Sequence, residues 1–341
     1  MMGRSNLSCV HFFLMMLLVF VLQCSKAYTP EGWPVDKPKN HGLQLSLLKD
    51  AADKIGNIKE RHSFVIIKNG NLIFEEYYTH DHKKMSTIWS VTKTFSSLVV
   101  GYAVTKKYFT VEDSVRRWVP RPYFRIAKGA QVKHLLSMTA NYSPSGSRFR
   151  YSNLLTINTL SQVLEKATGV NSCEFSRKFY TEQLGIKNIT IPCVLNRLQL
   201  GFGIKATARE VAKIGWIILN NGKWKGKRII SASYIKQMIT PSFPQANTGY
   251  GYLIWLNNNL SNQTNGYKWR RVEESGYGKM IKDAPASLIL ATGWRGNLIY
   301  ILPESKTVIV TLGFTHLLKG KKIFDTIHTA RAVWSIMKEA L

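Results

Sequence analysis

The run Ser90-Val91-Thr92-Lys93 sets a hydroxyl and an amine one helical turn apart, and farther along the chain stands Tyr151-Ser152-Asn153. Side chains at i and i+3 share a helix face, so the amine of Lys93 can accept or shuttle the Ser90 proton. A phenol beside an ammonium can be held partly as phenolate and pass protons between nucleophile and leaving group, which suits Tyr151. The Asn153 amide can hold Lys93 or a substrate carbonyl. Together these groups spell acyl transfer through a serine nucleophile.

The serine-lysine spacing alone is not selective, because Ser46 with Lys49, Ser233 with Lys236 and Ser335 with Lys338 repeat it. Ser90 differs in context. It follows a hairpin signal, opens an apolar run and precedes the only Tyr-x-Asn triplet in the chain. In the first turn of a helix, Ser90 would lie near unpaired backbone amides and the positive end of the dipole, and its own amide can serve as one oxyanion donor. Lys93 acts as a base only where burial holds its pKa below that of a free lysine, and Val91, Phe95 and Leu98 supply apolar surroundings. The structural alternatives are a capping serine, a snorkelling lysine and a plain turn at residue 151.

The elements that must position these groups can be read from periodicity. Two β-type segments, Ser63 to Lys68 and Leu72 to Tyr78, join through Asn69-Gly70, a strong hairpin signal. Ser90 to about Val104 has helical spacing of apolar residues with small residues between them. The middle of the chain reads almost wholly helical: Val111 to Trp118, Val132 to Met138, Leu154 to Ala167, Glu174 to Leu184 and Ala208 to Asn220. The last of these opens on the capping-box spacing Thr207 and Glu210. A second β set follows at Gly251 to Leu256, Ser287 to Thr292, Asn297 to Leu302 and Thr307 to Leu312, and Lys322 to Leu341 reads as an amphipathic helix. The expected class is α+β: a mostly antiparallel sheet flanked by helices (about 28–83 and 249–341), with an inserted helical lobe (about 84–248) and the site at the seam.

These motifs and their order resemble the serine β-lactamase and penicillin-binding-protein superfamily, on the branch with tyrosine in the second motif: class C β-lactamases, related esterases and 6-aminohexanoate-dimer hydrolases. The resemblance runs from about Ser63 to the C-terminus. It also includes Val132-Lys-His-Leu-Leu-Ser-Met-Thr139, Thr207-Ala-Arg-Glu-Val-Ala-Lys-Ile-Gly215 and Gly249-Tyr-Gly-Tyr252. The third motif of the family, usually Lys-Thr-Gly, has Ala291-Thr292-Gly293 as its equivalent here. The resemblance implies that the next amide, of Trp294, is the second oxyanion donor, and a backbone donor survives any side-chain change.

The resemblance implies that losing the lysine removes a cation that, in β-lactamases and penicillin-binding proteins, helps anchor the substrate carboxylate, which counts against β-lactams and peptidoglycan stems. Arg295 is a candidate substitute anchor; its alternatives are a place in solvent or a stack on Trp294. The stretch from Ala291 to Asn297 is closer to the Ala-x-Gly-x-x-Gly-Gln pattern of the dimer-hydrolase-like branch, which acts on amides and esters, with Asn297 where that branch has glutamine. Thr292, Gly293, Arg295 and Asn153 are thus expected to meet the substrate.

At 341 residues and 45% hydrophobic, the chain can bury a large core. Arg4, the apolar stretch Phe12 to Leu22 and Ser25-Lys26-Ala27 read as a secretory signal over 1–27, so the mature protein is expected to be secreted or periplasmic. A signal anchor is the alternative, and Cys24 raises a lipoprotein reading that Gln23 disfavours. Without the leader only Cys173 and Cys193 remain, as a disulfide or as two buried thiols. Sequons stand at Asn141, Asn188, Asn259 and Asn262.

The formal charge of +27, or +25 once Arg4 and Lys26 leave, implies attraction to anionic surfaces or polysaccharides. No nucleic-acid module accompanies it. No metal or nucleotide cofactor is implied by the spacing of histidines, cysteines, carboxylates or glycines. The partner expected is a small-molecule or peptide-like ester or amide. The rival readings are a β-lactamase or D-alanyl-D-alanine peptidase and a non-catalytic polyanion-binding scaffold of the same fold.

Overall fold

The computed structural model describes residues 27–58, 61–121, 125–151, 155–258, 279–313 and 326–341. Nearly all of the expected leader, together with Asn153, Asn259 and Asn262, lies outside these residues.

The architecture is α+β. Helix α1 (Leu45–Gly56) leads into strands β1 (Arg61–Lys68) and β2 (Asn71–Tyr77). Asn69 and Gly70 between them take φ 51 and 79, the left-handed pair that a tight hairpin demands and that Asn-Gly meets at low cost. Strands β3 (Trp255–Leu256), β4 (Ile289–Gly293), β5 (Asn297–Leu302) and β6 (Thr307–Gly313) complete an antiparallel sheet in the order β3-β4-β5-β6-β1-β2. Every residue of β1, β5 and β6 is buried, so both faces of the central sheet are covered.

Between β2 and β3 run helices α2 (Thr92–Thr105), α3 (Val115–Trp118), α4 (Val132–Leu136), α5 (Leu155–Thr168), α6 (Ser172–Lys178), α7 (Ala208–Leu219) and α8 (Ala232–Met238), and α9 (Thr326–Met337) follows the sheet. Helix α7 packs on β1, β5 and β6, and α1 packs on β1 and α9. Thr207 caps α7 by accepting the Glu210 N–H, as the capping-box spacing requires.

The middle section is less helical than its periodicity suggests. Short strand pairs interrupt it: Ser86–Thr87 and Ile189–Thr190 flank Lys205–Ala206, Cys193–Val194 pairs with Arg197–Leu198, and Lys223–Trp224 with Lys227–Arg228. Two-residue strands are below what periodicity can resolve. The stretch from Val111 yields only α3, and the β-type run from Gly251 only β3, because Leu253 turns to φ 57 before it. Cys173 and Cys193 form a disulfide that joins α6 to the 193–198 hairpin.

The segment after residue 27 covers one margin of the sheet. The Leu72 N–H of β2 donates to the Pro34 carbonyl at 2.8 Å, and the Asp36 N–H donates to the Leu72 carbonyl at 3.1 Å. Trp33, fully buried, donates its indole N–H to the Arg209 carbonyl, and the Arg209 guanidinium bonds both Glu75 of β2 and Glu31.

His62 of β1 and His134 of α4 are buried, and each is pushed down to about 4, first by burial, then by Arg61 beside His62 and by Lys133 beside His134. His134 is structural: its Nδ1 accepts the Gln131 N–H at 3.0 Å and its ring stacks on Phe243. A histidine whose folded pKa lies below the unfolded value of about 6.5 adds stability that is full above 6.5 and fades as pH falls toward 4. The two together are expected to remove on the order of 3–6 kcal/mol across that window. Urea midpoints at pH 7 and pH 5 test this; equal midpoints contradict it.

Candidate active site

Ser90 lies in the single 3-10 turn Trp89–Val91 that precedes α2, one step before the helix in which it was expected. Trp89 at φ 49 swings the chain so that Ser90 leads into the helix N-terminus, where backbone amides and the dipole favour developing negative charge. The segment 200–204 locks this start of α2. The Ile204 N–H donates to Thr92 Oγ1 at 3.1 Å, the Ile88 N–H to the Ile204 carbonyl at 3.0 Å, and Ser96 Oγ to the Leu200 carbonyl at 3.1 Å.

Lys93 points along the same face into the interior and is 2% exposed. Its Nζ stands 3.0 Å from Ser90 Oγ and 2.8 Å from the Gly201 carbonyl. Burial lowers its pKa from 10.5 to about 7. A neutral amine there keeps an N–H on Gly201 and turns its lone pair toward the serine hydroxyl, the geometry of a general base.

The Tyr151 ring centroid is 4.8 Å from Lys93 Nζ. Its ring stacks on Trp255 of β3 and meets Tyr250 edge-on, and Phe149 packs against both partners. An aromatic wall from the end of the sheet therefore sets the face of the Tyr151 ring against the amine. Serine, lysine and tyrosine converge at one place, between α2 and the β3-β4 end of the sheet.

Strand β4 closes the other side. A Cβ on Gly293 would lie 2.3 Å from the Ile88 carbonyl oxygen and 3.2 Å from the Val91 N, so the strand end reaches the Ser90 turn backbone to backbone. Trp294 follows, its ring set edge-on to Trp89 with centroids 4.6 Å apart. Thr292 is half-buried on β4, and Ala291, where a lysine was wanted, is buried at 1% exposure. The Arg295 guanidinium stacks over Trp294 at 4.8 Å and over Trp89 at 5.5 Å, the stacked alternative to a carboxylate anchor.

Among the described residues no group of three or more His, Cys, Asp and Glu side chains is placed to hold a metal ion. Sequence reasoning missed Gly201, Tyr250 and Trp255. Gly201 acts through its carbonyl, which every residue has. The aromatic pair had a signal in the stretch Gly249 to Trp255, but nothing there tied it to Tyr151.

With this geometry in place, comparisons with known proteins agree on the fold. Residues 60–316 match the family model described as Beta-lactamase. An uncharacterized protein of Alkalihalophilus pseudofirmus is 23% identical over 323 residues, which cover 78% of this chain and 90% of that protein. Among solved structures, a Bacteroides dorei protein assigned as a beta-lactamase superposes with a TM-score of 0.69 at 16% identity, covering 87% of this chain and 99% of its own. A family VIII carboxylesterase superposes at 0.66 and 14% identity, over 92% of this chain and 98% of its own. A Bacillus anthracis protein assigned as a 6-aminohexanoate-dimer hydrolase does so at 0.63 and 18% identity, over 86% of this chain and 80% of its own.

Proposed function

Since the chain belongs to the Beta-lactamase family, a fold family of serine hydrolases, we propose that it cleaves an ester or amide through an acyl-enzyme on Ser90. The observation that carries this reading is the 3.0 Å approach of a 2% exposed Lys93 amine to the Ser90 hydroxyl.

Lys93 takes the Ser90 proton as Oγ attacks the carbonyl, and the amides of Ser90 and Trp294 receive the oxyanion. The proton passes by way of Tyr151 to the leaving alcohol or amine as its bond to the carbonyl carbon breaks, leaving the acyl group on Oγ. Water then attacks the acyl carbonyl and gives its proton to the same groups, which return it to Ser90 Oγ as the Oγ–acyl bond breaks and the acid departs. Buried Ala291 stands where the lysine that a β-lactam or stem-peptide carboxylate would meet is wanted, which favours simple esters and amides. Export past a membrane is part of the proposal, and the Cys173–Cys193 bond supports it because disulfides persist in oxidising compartments. The excess of basic residues would then hold the enzyme near anionic surfaces or polysaccharides.

Labelling tests the reading. A serine-directed fluorophosphonate should form an adduct that maps to Ser90 and is lost in Ser90→Ala, with no lasting adduct from a penicillin. A penicillin adduct without ester hydrolysis selects the β-lactam reading, and no adduct with either probe selects the scaffold.

A further inference from the structure

Two buried polar side chains, Asn297 at the end of the third-motif stretch and Arg61 of β1, bond the turn that carries Trp294. That turn has a built-in cost at Arg295, whose φ of 67 lies in the left-handed region that a side-chain-bearing residue enters only under strain, whereas Gly296 takes φ 71 freely. Its orientation must therefore be imposed by what surrounds it.

Asn297, at the start of β5 and 0% exposed, donates from Nδ2 to the Trp294 carbonyl at 2.8 Å, and its Oδ1 accepts the Gly313 N–H at 3.3 Å. Arg61 of β1, 1% exposed, donates from Nη2 to the Arg295 carbonyl at 2.6 Å and from Nη1 to the Gly296 carbonyl. Three successive carbonyls are thus tied by side chains of β1 and β5. The seat of the guanidinium is shaped for it: a Cβ on Gly313 would lie 1.8 Å from Nη2, and one on Gly296 3.1 Å from both Nη atoms. The Gly293 carbonyl shares a peptide plane with the Trp294 N–H and accepts from Thr326 Oγ1 at 3.4 Å.

We propose that Asn297 and Arg61 are positioning residues which, through the 294–296 carbonyls, hold the Trp294 N–H in the direction an oxyanion needs. The inference rests on the serine-hydrolase reading above. A donor fixed before the reaction stabilises charge without reorganisation, whereas one that swings with its turn loses most of that benefit.

Asn297→Leu removes the bond to the Trp294 carbonyl. It is expected to lower kcat for p-nitrophenyl acetate by about 10²-fold with KM within about twofold. Inhibition by a phenylboronic acid, which forms a tetrahedral adduct on serine, should weaken by a similar factor. Asn297→Gln, which restores the donor, should recover at least about tenfold of the loss. Where Asn297→Leu fails to fold, the smaller Asn297→Ala also lacks the donor, and the same loss is expected of it.

A folded variant with wild-type kcat, or one with reduced kcat and unaltered boronate inhibition, overturns the proposal. Wild-type protein that neither takes a fluorophosphonate on Ser90 nor hydrolyses the ester overturns the function reading itself. Wild-type protein active beside equally active Asn297 variants overturns only the positioning role.

Discussion

Lys93→Met is expected to cut kcat/KM for p-nitrophenyl acetate by about 10³-fold and, at the same time, to raise the melting temperature. The two effects share one cause. Burial holds the folded pKa at about 7 against 10.5 in the unfolded chain. A lysine with a depressed folded pKa contributes stability that is full above 10.5 and lost as pH falls toward 7, so near neutral pH its burial is a cost. That cost is at most about 5 kcal/mol. Methionine keeps the apolar stem, although it leaves the Gly201 carbonyl unpaired at about 1–3 kcal/mol, so a net gain of about 1–3 kcal/mol is expected. Wild-type kcat/KM should climb with pH through about 7 as the amine loses its proton. A methionine variant that is less stable than wild type at pH 7, or within tenfold of its activity, contradicts this account.

Gly293→Val is expected to lower kcat/KM by about 10²–10³-fold and stability by about 1–3 kcal/mol. The new Cβ would stand 2.3 Å from the Ile88 carbonyl oxygen, an atom of the backbone that leads into the Ser90 turn. Neither side is a flexible side chain, so β4 and the turn must separate, and the Trp294 amide retreats from the nucleophile with them. The rate of fluorophosphonate labelling at Ser90 should fall in step with hydrolysis. Wild-type kinetics in Gly293→Val would show that the strand end does not need to touch the turn.

Much of the fold was legible because its signals are local. Asn69-Gly70 fixes a hairpin, Thr207 fixes a helix start, and the apolar runs of β5 and β6 can only be interior strands. The nucleophile and its base were legible because they sit one helical turn apart, and the tyrosine because its triplet is unique. What escaped depends on contacts distant in sequence. Gly201 meets Lys93 through a carbonyl, Trp255 meets Tyr151 across the sheet end, and Arg61 reaches the 294–296 turn from the other end of the chain, so no window of sequence contains any of the three pairings. The short strands between residues 189 and 228 escaped for another reason: two residues carry no period, and it is the neighbour each one bonds, not its own pattern, that makes it a strand.

The covering of β2 by residues 34–36 bears on how the chain can be trimmed. A cut at Ala27 leaves in place the Pro34 and Asp36 bonds to Leu72, the Trp33 indole and the Glu31 partner of Arg209. A cut ten residues farther on strips all of these, baring a row of backbone donors and acceptors along the outermost strand, which invites strand addition from another molecule. Trimming is therefore bounded from within: a chain that begins at or before Glu31 keeps this margin of the sheet covered, and one that begins beyond Asp36 trades a covered edge for a bare one.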